Sequence, residues 1–409
     1  MTHSASRRVR TALAPPAAPA AVAVCALSFL VFVAAQRFAE VSMIDLAVYR
    51  AEGRAVLDGA DLYALRVGDA DLPMTYPPFA ALLFTPLTLL VDGTMRAVAT
   101  AANLGLLVAL VHLSLRLADR RPNLSLTLTL SALAVWCEPV WTTLRYGQIN
   151  LLLAVLVLWD LSRADRSRWA GVGIGIAAAI KLTPALFAVF LLVTGLVRLR
   201  RGGDGQPWLR RAAVAAGAFL AVTAATAVVL PADSQRFWTR IVFAAGRVGH
   251  AEETANQSLR GVLARLLHTG DPGLWWYALA LPAAAGGLAV AVTAALRGRR
   301  AWAAAACGLT ALLVSPVSWS HHWVWCVPVL LLLGTEAIRR RTPWARTAAG
   351  ATAAVFYGYA LWLVPHGDAR PELAQHGGQM LLSALYPLAA ACLLALVPVL
   401  TRSRRSRSA

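Results

Sequence analysis

Residues 18–50 read APAAVAVCALSFLVFVAAQRFAEVSMIDLAVYR, a long apolar run followed by a polar stretch that contains Asp45. The run is long enough to cross the roughly 30 Å hydrocarbon core of a bilayer. It follows several arginines, as the apolar part of a signal peptide does. Its length and the many apolar runs that come after it favour an uncleaved anchor. A carboxylate just beyond such a span is costly to bury unless it has a partner or a function.

The composition extends this interpretation to the whole chain. The 409 residues are 58% hydrophobic and 14% charged, with a mean hydropathy of +0.61, which is typical of a polytopic membrane protein. The net charge of +18 comes from arginines in short loops between apolar runs. Such loops mark the cytoplasmic side and attract anionic lipid headgroups. The charge therefore indicates membrane orientation, and no nucleic-acid partner is expected.

The apolar runs predict an all-α protein with about twelve transmembrane helices. The stretch 169–197 has basic residues at both ends, so it must cross an even number of times. We predict two short helices that meet at Lys181, although a re-entrant hairpin would satisfy the same rule. The stretches 43–57 and 77–91 are apolar but too short to span, and they are predicted as helices in the outer interface.

This topology divides the chain into one transmembrane domain and two tails. The domain covers 18–401, and the outer segments 37–76 and 232–272 form its site face. Residues 1–17 and the basic residues 402–409 are predicted as cytoplasmic tails, in a multi-pass protein of a bacterial plasma membrane. No soluble domain or internal repeat is evident.

Two charged residues in apolar surroundings are the first candidates for chemistry. Asp45 could act as a base near neutral pH if its environment tunes its pKa. Alternatively, it could be an interface carboxylate paired with Arg50. Lys181 is the only lysine in the chain. A charge inside the membrane suggests function, but a lysine that snorkels from a helix end is an equal alternative.

Other polar motifs lie at predicted outer turns. The turn around Arg145 contains amides that could bind sugar hydroxyls or cap a helix, and Glu138 is expected to pair with Arg145. Tyr76 opens a Tyr-Pro-Pro-Phe motif that could form the wall of a sugar site or an interfacial turn. The adjacent His321 and His322 are a poor chelating pair, because neighbouring helical residues point in different directions. No metal site is expected.

Two further features are expected to be structural. The five cysteines lie in apolar runs without the spacing of metal ligands or of a disulfide framework. The glycines of the stretch 171–175 lack the strand and lysine of a phosphate-binding loop. Small residues that allow close helix packing explain them better.

These motifs together resemble a known family. The matching runs are Asp45 to Tyr49, Thr75 to Phe79, Gly147 to Asn150, Lys181 to Pro184, Asn256 to Ser258 and Ser315 to His322. In this order they resemble the bacterial polyprenol-phosphate-mannose-dependent α-(1→2)-mannosyltransferases, glycosyltransferase family 87, which have GT-C architecture. The resemblance extends from about residue 40 to 325. It implies that Asp45 is the catalytic base and that the histidine pair lies in the site.

The resemblance suggests a function that fits the residue types. Mannose would pass from a polyprenyl-phosphate-mannose donor to a hydroxyl of a lipid-linked glycan, of phosphatidylinositol mannoside or lipomannan type. No cofactor is expected. Cations would bind the departing phosphate; the candidates are Lys181, Arg145, His321, His322 and Arg260. Polar and aromatic side chains would bind the sugar or the acceptor; the candidates are Tyr49, Tyr76, Gln148, Asn150, Asn256, Gln257 and Trp319.

Three alternatives remain at this point. A secondary transporter fits twelve spans, although its usual long central cytoplasmic linker is not evident. A membrane O-acyltransferase would depend on His322 and not on Asp45. A non-catalytic scaffold would tolerate changes at all of these positions.

Overall fold

The computed structural model describes residues 17–68, 71–118, 122–165 and 167–402. The two predicted tails fall outside these residues, apart from positions 17 and 402.

The described chain is predominantly helical, which confirms the predicted all-α class. Helices α1 to α18 are Ala18–Phe38, Ile44–Asp58, Pro78–Phe84, Asp92–Leu117, Leu124–Ala134, Glu138–Tyr146, Asn150–Leu161, Val172–Ile180, Ala185–Arg200, Gln206–Val229, Pro231–Thr239, Leu259–Leu266, Leu274–Leu296, Arg300–Val314, Cys326–Arg340, Pro343–Tyr357, Gly377–Leu382 and Leu385–Leu400. Short 3₁₀ helices cover Thr85–Leu89, Ile241–Phe243, Ala245–Val248, Ser320–Trp325, Ala360–Leu363 and Pro371–Ala374. Strands β1 (Arg66–Val67) and β2 (Leu72–Pro73) form a small antiparallel hairpin.

Five helices in the described ranges are long and apolar enough to cross a membrane. They are α1, α4, α10, α13 and the continuous stretch Ser320–Arg340. The pair α5 and α6, bent by 79°, adds a sixth if it is counted as one span. The other apolar runs form shorter or interrupted helices. The total of twelve therefore stays a prediction.

The interruptions fall at polar or proline-containing motifs. The stretch 169–197 forms α8 and α9 on either side of Lys181, as predicted. The run 124–144 breaks before α6, whose first turn contains Pro139. Proline is tolerated there because the first turn's N–H groups have no partner within the helix. The stretches 43–57 and 77–91 are also helical, as α2 and as α3 with its 3₁₀ extension.

Close backbone packing holds α8 between α7 and α10. A Cβ atom added at Gly171 would lie 2.3 Å from the carbonyl oxygen of Arg211, and one at Gly175 would lie 2.4 Å from that of Ala215. On the other side, a Cβ at Gly173 would lie 2.6 Å from the Leu156 oxygen. The prediction that these glycines serve helix packing is confirmed.

The two long outer segments meet over one end of the helices. Tyr63 and Met74 of the first segment pack with Phe237 of the second in a separate apolar cluster. The backbone N–H of Leu62 donates to Asp233 Oδ1 at 3.2 Å. The two segments therefore form one continuous layer, and helix α2 lies within it.

Helix α2 is fixed by backbone contacts at two points. The N–H of Met43, just before the helix, donates to the Arg145 carbonyl oxygen at 3.1 Å. Gly147, with φ +68°, lies so close to Leu46 that an added Cβ would be 2.6 Å from the leucine Cβ. One turn before the end of α2, a Cβ at Gly53 would lie 2.6 Å from the Phe84 oxygen. These contacts set the rotation of α2 about its own axis.

We predict that Gly147→Ala destabilises the protein and displaces the N-terminal turn of α2. The left-handed backbone alone costs a non-glycine residue about 1–2 kcal/mol, and the clash with Leu46 adds to this. Thermal unfolding in detergent would measure the effect as a lowered Tm.

The matched control is Gly105→Ala in the membrane helix α4, where an added Cβ meets nothing within 4 Å. This change should keep or slightly raise Tm, because alanine is the better helix former. Equal Tm values for the two variants would contradict the tight contact at Gly147.

Candidate active site

A cavity of about 840 Å³ lies between the layer of outer segments and the helices. Its wall combines α2, the residues around Tyr76, the turn after α6, the start of α9, the second outer segment and the histidine motif. Eight of the thirteen predicted site residues line it: Asp45, Tyr49, Tyr76, Gln148, Lys181, Trp319, His321 and His322. Residues that are far apart in the sequence therefore line one cavity.

One face of α2 supplies the acidic side of the cavity. Asp45, Val48, Tyr49 and Glu52 all line it, and their spacing places them on one face of a helix. Burial raises the pKa of Asp45 to about 6, although the Gln148 side chain and the charge of Lys181 act in the opposite direction. Asp45 is thus mostly ionised at neutral pH while remaining basic enough to accept a proton.

A hydrogen-bonded group of three side chains lies next to Asp45. The hydroxyls of Tyr49 and Tyr76 both donate to Gln148 Oε1, at 2.8 and 3.2 Å. Because Oε1 accepts these bonds, Nε2 is the atom of Gln148 that can donate towards Asp45. The group orients the amide so that its donor faces the carboxylate.

Lys181 lies beside this group. It follows α8 directly in an extended conformation. Its Nζ lies 2.9 Å from His322 Nε2 and 3.5 Å from the Tyr76 hydroxyl. The ammonium also lies 5.1 Å from the centre of the Tyr76 ring, in cation–π geometry.

The hydrogen bond at the other nitrogen of His322 decides what this pair can bind. His322 Nδ1 accepts the backbone N–H of Trp319 at 3.2 Å. The neutral ring therefore carries its proton on Nε2. This N–H donates to the Lys181 amine across the 2.9 Å contact, so both nitrogens lie at one point of the wall. An anionic oxygen placed beside them can accept from both.

His321 is held by its backbone. Its carbonyl oxygen accepts from Thr143 Oγ1 at 2.8 Å and from Asn150 Nδ2 at 3.1 Å. Its ring meets Tyr146 edge-on, with 5.4 Å between ring centroids. Nε2 of His321 is buried and has no hydrogen-bond partner within the described ranges. Asn150 itself borders a small neighbouring pocket and not the main cavity.

Two predicted phosphate ligands are not on the cavity wall. The Arg145 side chain is exposed, and its guanidinium lies 5.7 Å from the centre of the Tyr146 ring. Arg260 forms an ion pair with Asp271 at 3.3 Å, away from the cavity. The structure therefore does not bring either arginine to Lys181.

The amides at 256 and 257 also lie behind the wall. Asn256 Nδ2 donates to the Ala251 oxygen at 2.9 Å, and its Oδ1 accepts from Ser318 N at 3.0 Å. Gln257 Nε2 donates to the Ser383 oxygen at 2.7 Å. Both amides thus bind backbone. The Asn256 amide attaches the second outer segment to the histidine motif, where Asn256 and Trp319 form an isolated β-bridge, and the Gln257 amide attaches it to the start of α18.

Comparisons with known proteins show the family of this chain. Residues 74–316 match the family model for glycosyltransferase family 87. This match covers more than half of the chain.

The chain belongs to glycosyltransferase family 87.

Curated relatives support the assignment. The chain is 36% identical over 321 residues to the polyprenol-phosphate-mannose-dependent alpha-(1-2)-phosphatidylinositol mannoside mannosyltransferase of Mycolicibacterium smegmatis, covering 72% of this chain and 70% of that protein. It is 35% identical over 302 residues to the corresponding phosphatidylinositol pentamannoside mannosyltransferase of Mycobacterium tuberculosis, covering 71% and 66%. A solved structure of ArnT from Cupriavidus metallidurans bound to undecaprenyl phosphate aligns with 94% of this chain and 78% of that one, at 14% identity and a TM-score of 0.43.

One expectation about this family 87 protein is corrected by the structure. Glu138 was expected to pair with Arg145, but its fully buried carboxylate is bound by neutral donors instead. These donors, from four parts of the chain, are Thr142 Oγ1 at 2.7 Å, Ser320 Oγ at 2.9 Å, Trp362 Nε1 at 3.0 Å and Tyr386 Oη at 2.6 Å. Arg145 lies two turns further along α6, about 10 Å away along the axis, and its side chain is exposed, so the two charged groups do not meet.

The cavity also contains charged residues that sequence reasoning did not single out. Glu52 follows Asp45 by two helical turns, so the helical period could have placed both on one face. Arg247 reaches the wall from the short 3₁₀ helix Ala245–Val248, where its Nη2 donates to the Tyr63 oxygen at 2.7 Å. No periodic pattern could have located this arginine.

We predict that Asn256→Ala lowers Tm more than Arg260→Ala does. Removal of the Asn256 amide leaves the buried Ser318 N–H without an acceptor, at a typical cost of about 1–3 kcal/mol. Arg260→Ala loses an ion pair with the exposed Asp271, worth about 0–1 kcal/mol, and a cation–π contact with Trp276, worth about 0.5–1 kcal/mol, and it leaves no buried backbone group without a partner. Thermal unfolding of the two purified variants would compare them. A normal Tm for Asn256→Ala would contradict the backbone-linking role.

Proposed function

We propose that this chain transfers mannose from a polyprenyl-phosphate donor to a hydroxyl of a lipid-anchored glycan of the phosphatidylinositol mannoside type. One observation carries the proposal. A single cavity presents an ionised carboxylate of raised pKa, Asp45, across a polar group from a pair of nitrogen donors, Lys181 and His322. The names of the mycobacterial relatives specify a polyprenol-phosphate-mannose donor and phosphatidylinositol mannoside acceptors.

In this mechanism Asp45 is the base. The acceptor hydroxyl donates to the Asp45 carboxylate, and its oxygen attacks C1 of the donor mannose. As the new C–O bond forms, the hydroxyl proton passes to Asp45. The bond between C1 and the phosphate oxygen breaks, and its electron pair leaves with the polyprenyl phosphate. Attack from the face opposite the phosphate inverts the anomeric centre, so a β-linked donor gives an α product.

Lys181 and His322 assist the departure of the phosphate. A phosphate is already a good leaving group, so it needs charge stabilisation more than protonation. Beside the phosphate anion the Lys181 amine is protonated, and its N–H groups and the His322 Nε2–H bind the phosphate oxygens in a site partly shielded from water, where such interactions are strong. His321 Nε2, buried and without a partner in the described chain, is placed to bind a further oxygen of the phosphate or of the sugar.

The cavity is assigned to the extracytoplasmic side of the membrane. Arginine-rich loops mark the opposite side, and the two outer segments that cover the cavity carry most of the acidic residues. Within this proposal both termini are cytoplasmic and the arrangement is of GT-C type. Membership of a glycosyltransferase family sets aside the transporter, the O-acyltransferase and the scaffold as primary functions.

The proposal is tested by incubating the purified protein with polyprenyl-phosphate mannose and a panel of mannolipids, in the presence of EDTA, and weighing the products by mass spectrometry. Wild-type protein should extend an acceptor by one hexose. Asp45→Asn should lose about 10²–10⁴-fold in rate, which is the typical worth of a positioned base.

Asp58→Asn is the matched control. Asp58 is the last residue of the same helix, is exposed, and pairs only with Arg54 in the described chain. This variant should transfer at the wild-type rate. Wild-type turnover in Asp45→Asn would remove Asp45 from the mechanism, and no transfer by wild type to any mannolipid would overturn the proposed function.

The rate should also depend on pH through Asp45. The base acts only when ionised, so transfer is full above its pKa and declines as pH falls through about 6. Well below that value, the rate should fall about tenfold per pH unit. Initial transfer rates under single-turnover conditions would show this decline at acidic pH. The Tm recorded at each pH would show that the protein stays folded. A rate that stays constant while the folded protein is taken two pH units below that value would contradict it.

A further inference from the structure

Glu52 has no structural explanation among its neighbours. It lines the cavity and is 1% exposed. Its Oε2 is buried without a hydrogen-bond partner in the part of the chain that the structure describes. A buried polar atom without a partner costs free energy. Such an atom on a cavity wall is therefore free to bind what enters the cavity.

The two arginines nearest to Glu52 in sequence are bound elsewhere. Arg50 Nη2 donates to the Leu90 oxygen at 2.9 Å. Arg54 Nε lies 2.9 Å from the carboxylate of Asp58. Neither arginine neutralises the carboxylate charge of Glu52, and no salt bridge to Glu52 occurs within the described ranges. Contact of the adjacent Gly53 with the Phe84 backbone holds this part of α2 in place.

We propose that Glu52 is a sugar-binding residue that holds a hydroxyl of a hexose in the cavity while Asp45 acts on the reacting hydroxyl. This inference rests on the proposed function. Asp45 and Glu52 are seven residues apart on one helix face, or about 10 Å along the axis. That separation admits one pyranose ring with a hydrogen bond on each side.

The charges around Glu52 support a neutral carboxyl. The titratable and charged groups that line the cavity with it are Asp45, Tyr49, Tyr76, Tyr146, Lys181, Arg247, Glu253, His321 and His322, and Tyr63 packs beside them. Burial and the charge of Asp45 raise the pKa of Glu52 to about 8. A protonated carboxyl has both an O–H donor and an acceptor oxygen, so it can bind a sugar hydroxyl in either direction.

The first test compares Glu52→Gln with Glu52→Leu in the transfer assay. Glutamine keeps one donor and one acceptor, so its kcat/KM should stay within about threefold of wild type. Leucine leaves the hydroxyl unpaired and should lower kcat/KM about 10–100-fold. Because the hydroxyl can belong to the donor or to the acceptor, the KM of each substrate is measured. The substrate whose KM rises is the one that carries the hydroxyl bound by Glu52.

A second test uses mannose analogues that each lack one hydroxyl. Removal of the hydroxyl that Glu52 binds should slow the wild type about 10–100-fold and should slow Glu52→Leu no further, because the contact is already lost. If the rate loss caused by Glu52→Leu and the loss caused by the missing hydroxyl multiply for every analogue, the two changes act independently. That result would overturn the proposal. Wild-type activity in Glu52→Leu would overturn it as well.

A pH profile provides a test that does not need the leucine variant to fold. Wild-type activity should decline as pH rises through about 8, where Glu52 ionises beside Asp45. Burial lowers the pKa of Lys181 to about 7, so this residue loses its charge with rising pH in both proteins. Glu52→Gln cannot ionise at position 52 and should lack the further decline that begins near pH 8. An unchanged alkaline limb, or inactivity of Glu52→Gln as severe as that of Asp45→Asn, would overturn the proposal; the latter would assign proton transfer to Glu52. Transfer by wild type in the same assay separates these outcomes from failure of the proposed function.

Discussion

The contact between the start of α2 and the turn at Gly147 is the constraint on which the site depends. A side chain at position 147 would occupy the space of Leu46, so the backbone itself forms the interface. Because this contact allows no lateral adjustment, it sets the rotation of α2. The rotation decides that Asp45 and Glu52 face the cavity and that the exposed Asp58 does not. The position of the acidic groups is thus determined by a residue that has no side chain.

The two carboxyl groups of α2 differ through their surroundings. Both are desolvated, but Asp45 has the Gln148 side chain and the charge of Lys181 nearby, and these partly oppose the effect of burial. Glu52 instead feels the negative charge of Asp45. Their pKa values therefore separate, to about 6 and about 8. At neutral pH one group is an anion and the other an acid, a separation that enzymes commonly use to assign different roles to paired carboxyls.

Local patterns in the sequence predicted the helices and the rarest polar groups. A lysine within an apolar run is unusual enough to attract attention, and Lys181 does line the cavity beside Asp45. Sequence patterns could not show which way a side chain points. Arg145 carries the expected charge but faces outward, and the amide of Asn256 is satisfied by a backbone group 62 positions away. Both facts depend on how distant segments meet, and a single sequence does not encode such contacts in any local pattern.

The glycines of α8 have a consequence for how substrates reach the cation. They bring the backbone of α8 against both neighbouring helices, with no side chain between that could rearrange. The helix therefore moves only together with its neighbours, and Lys181 at its end has an immobile base. The lysine does not travel to meet a lipid phosphate. Under the proposed function, the headgroup of the lipid donor would have to move until it reaches a side chain whose backbone is already in place.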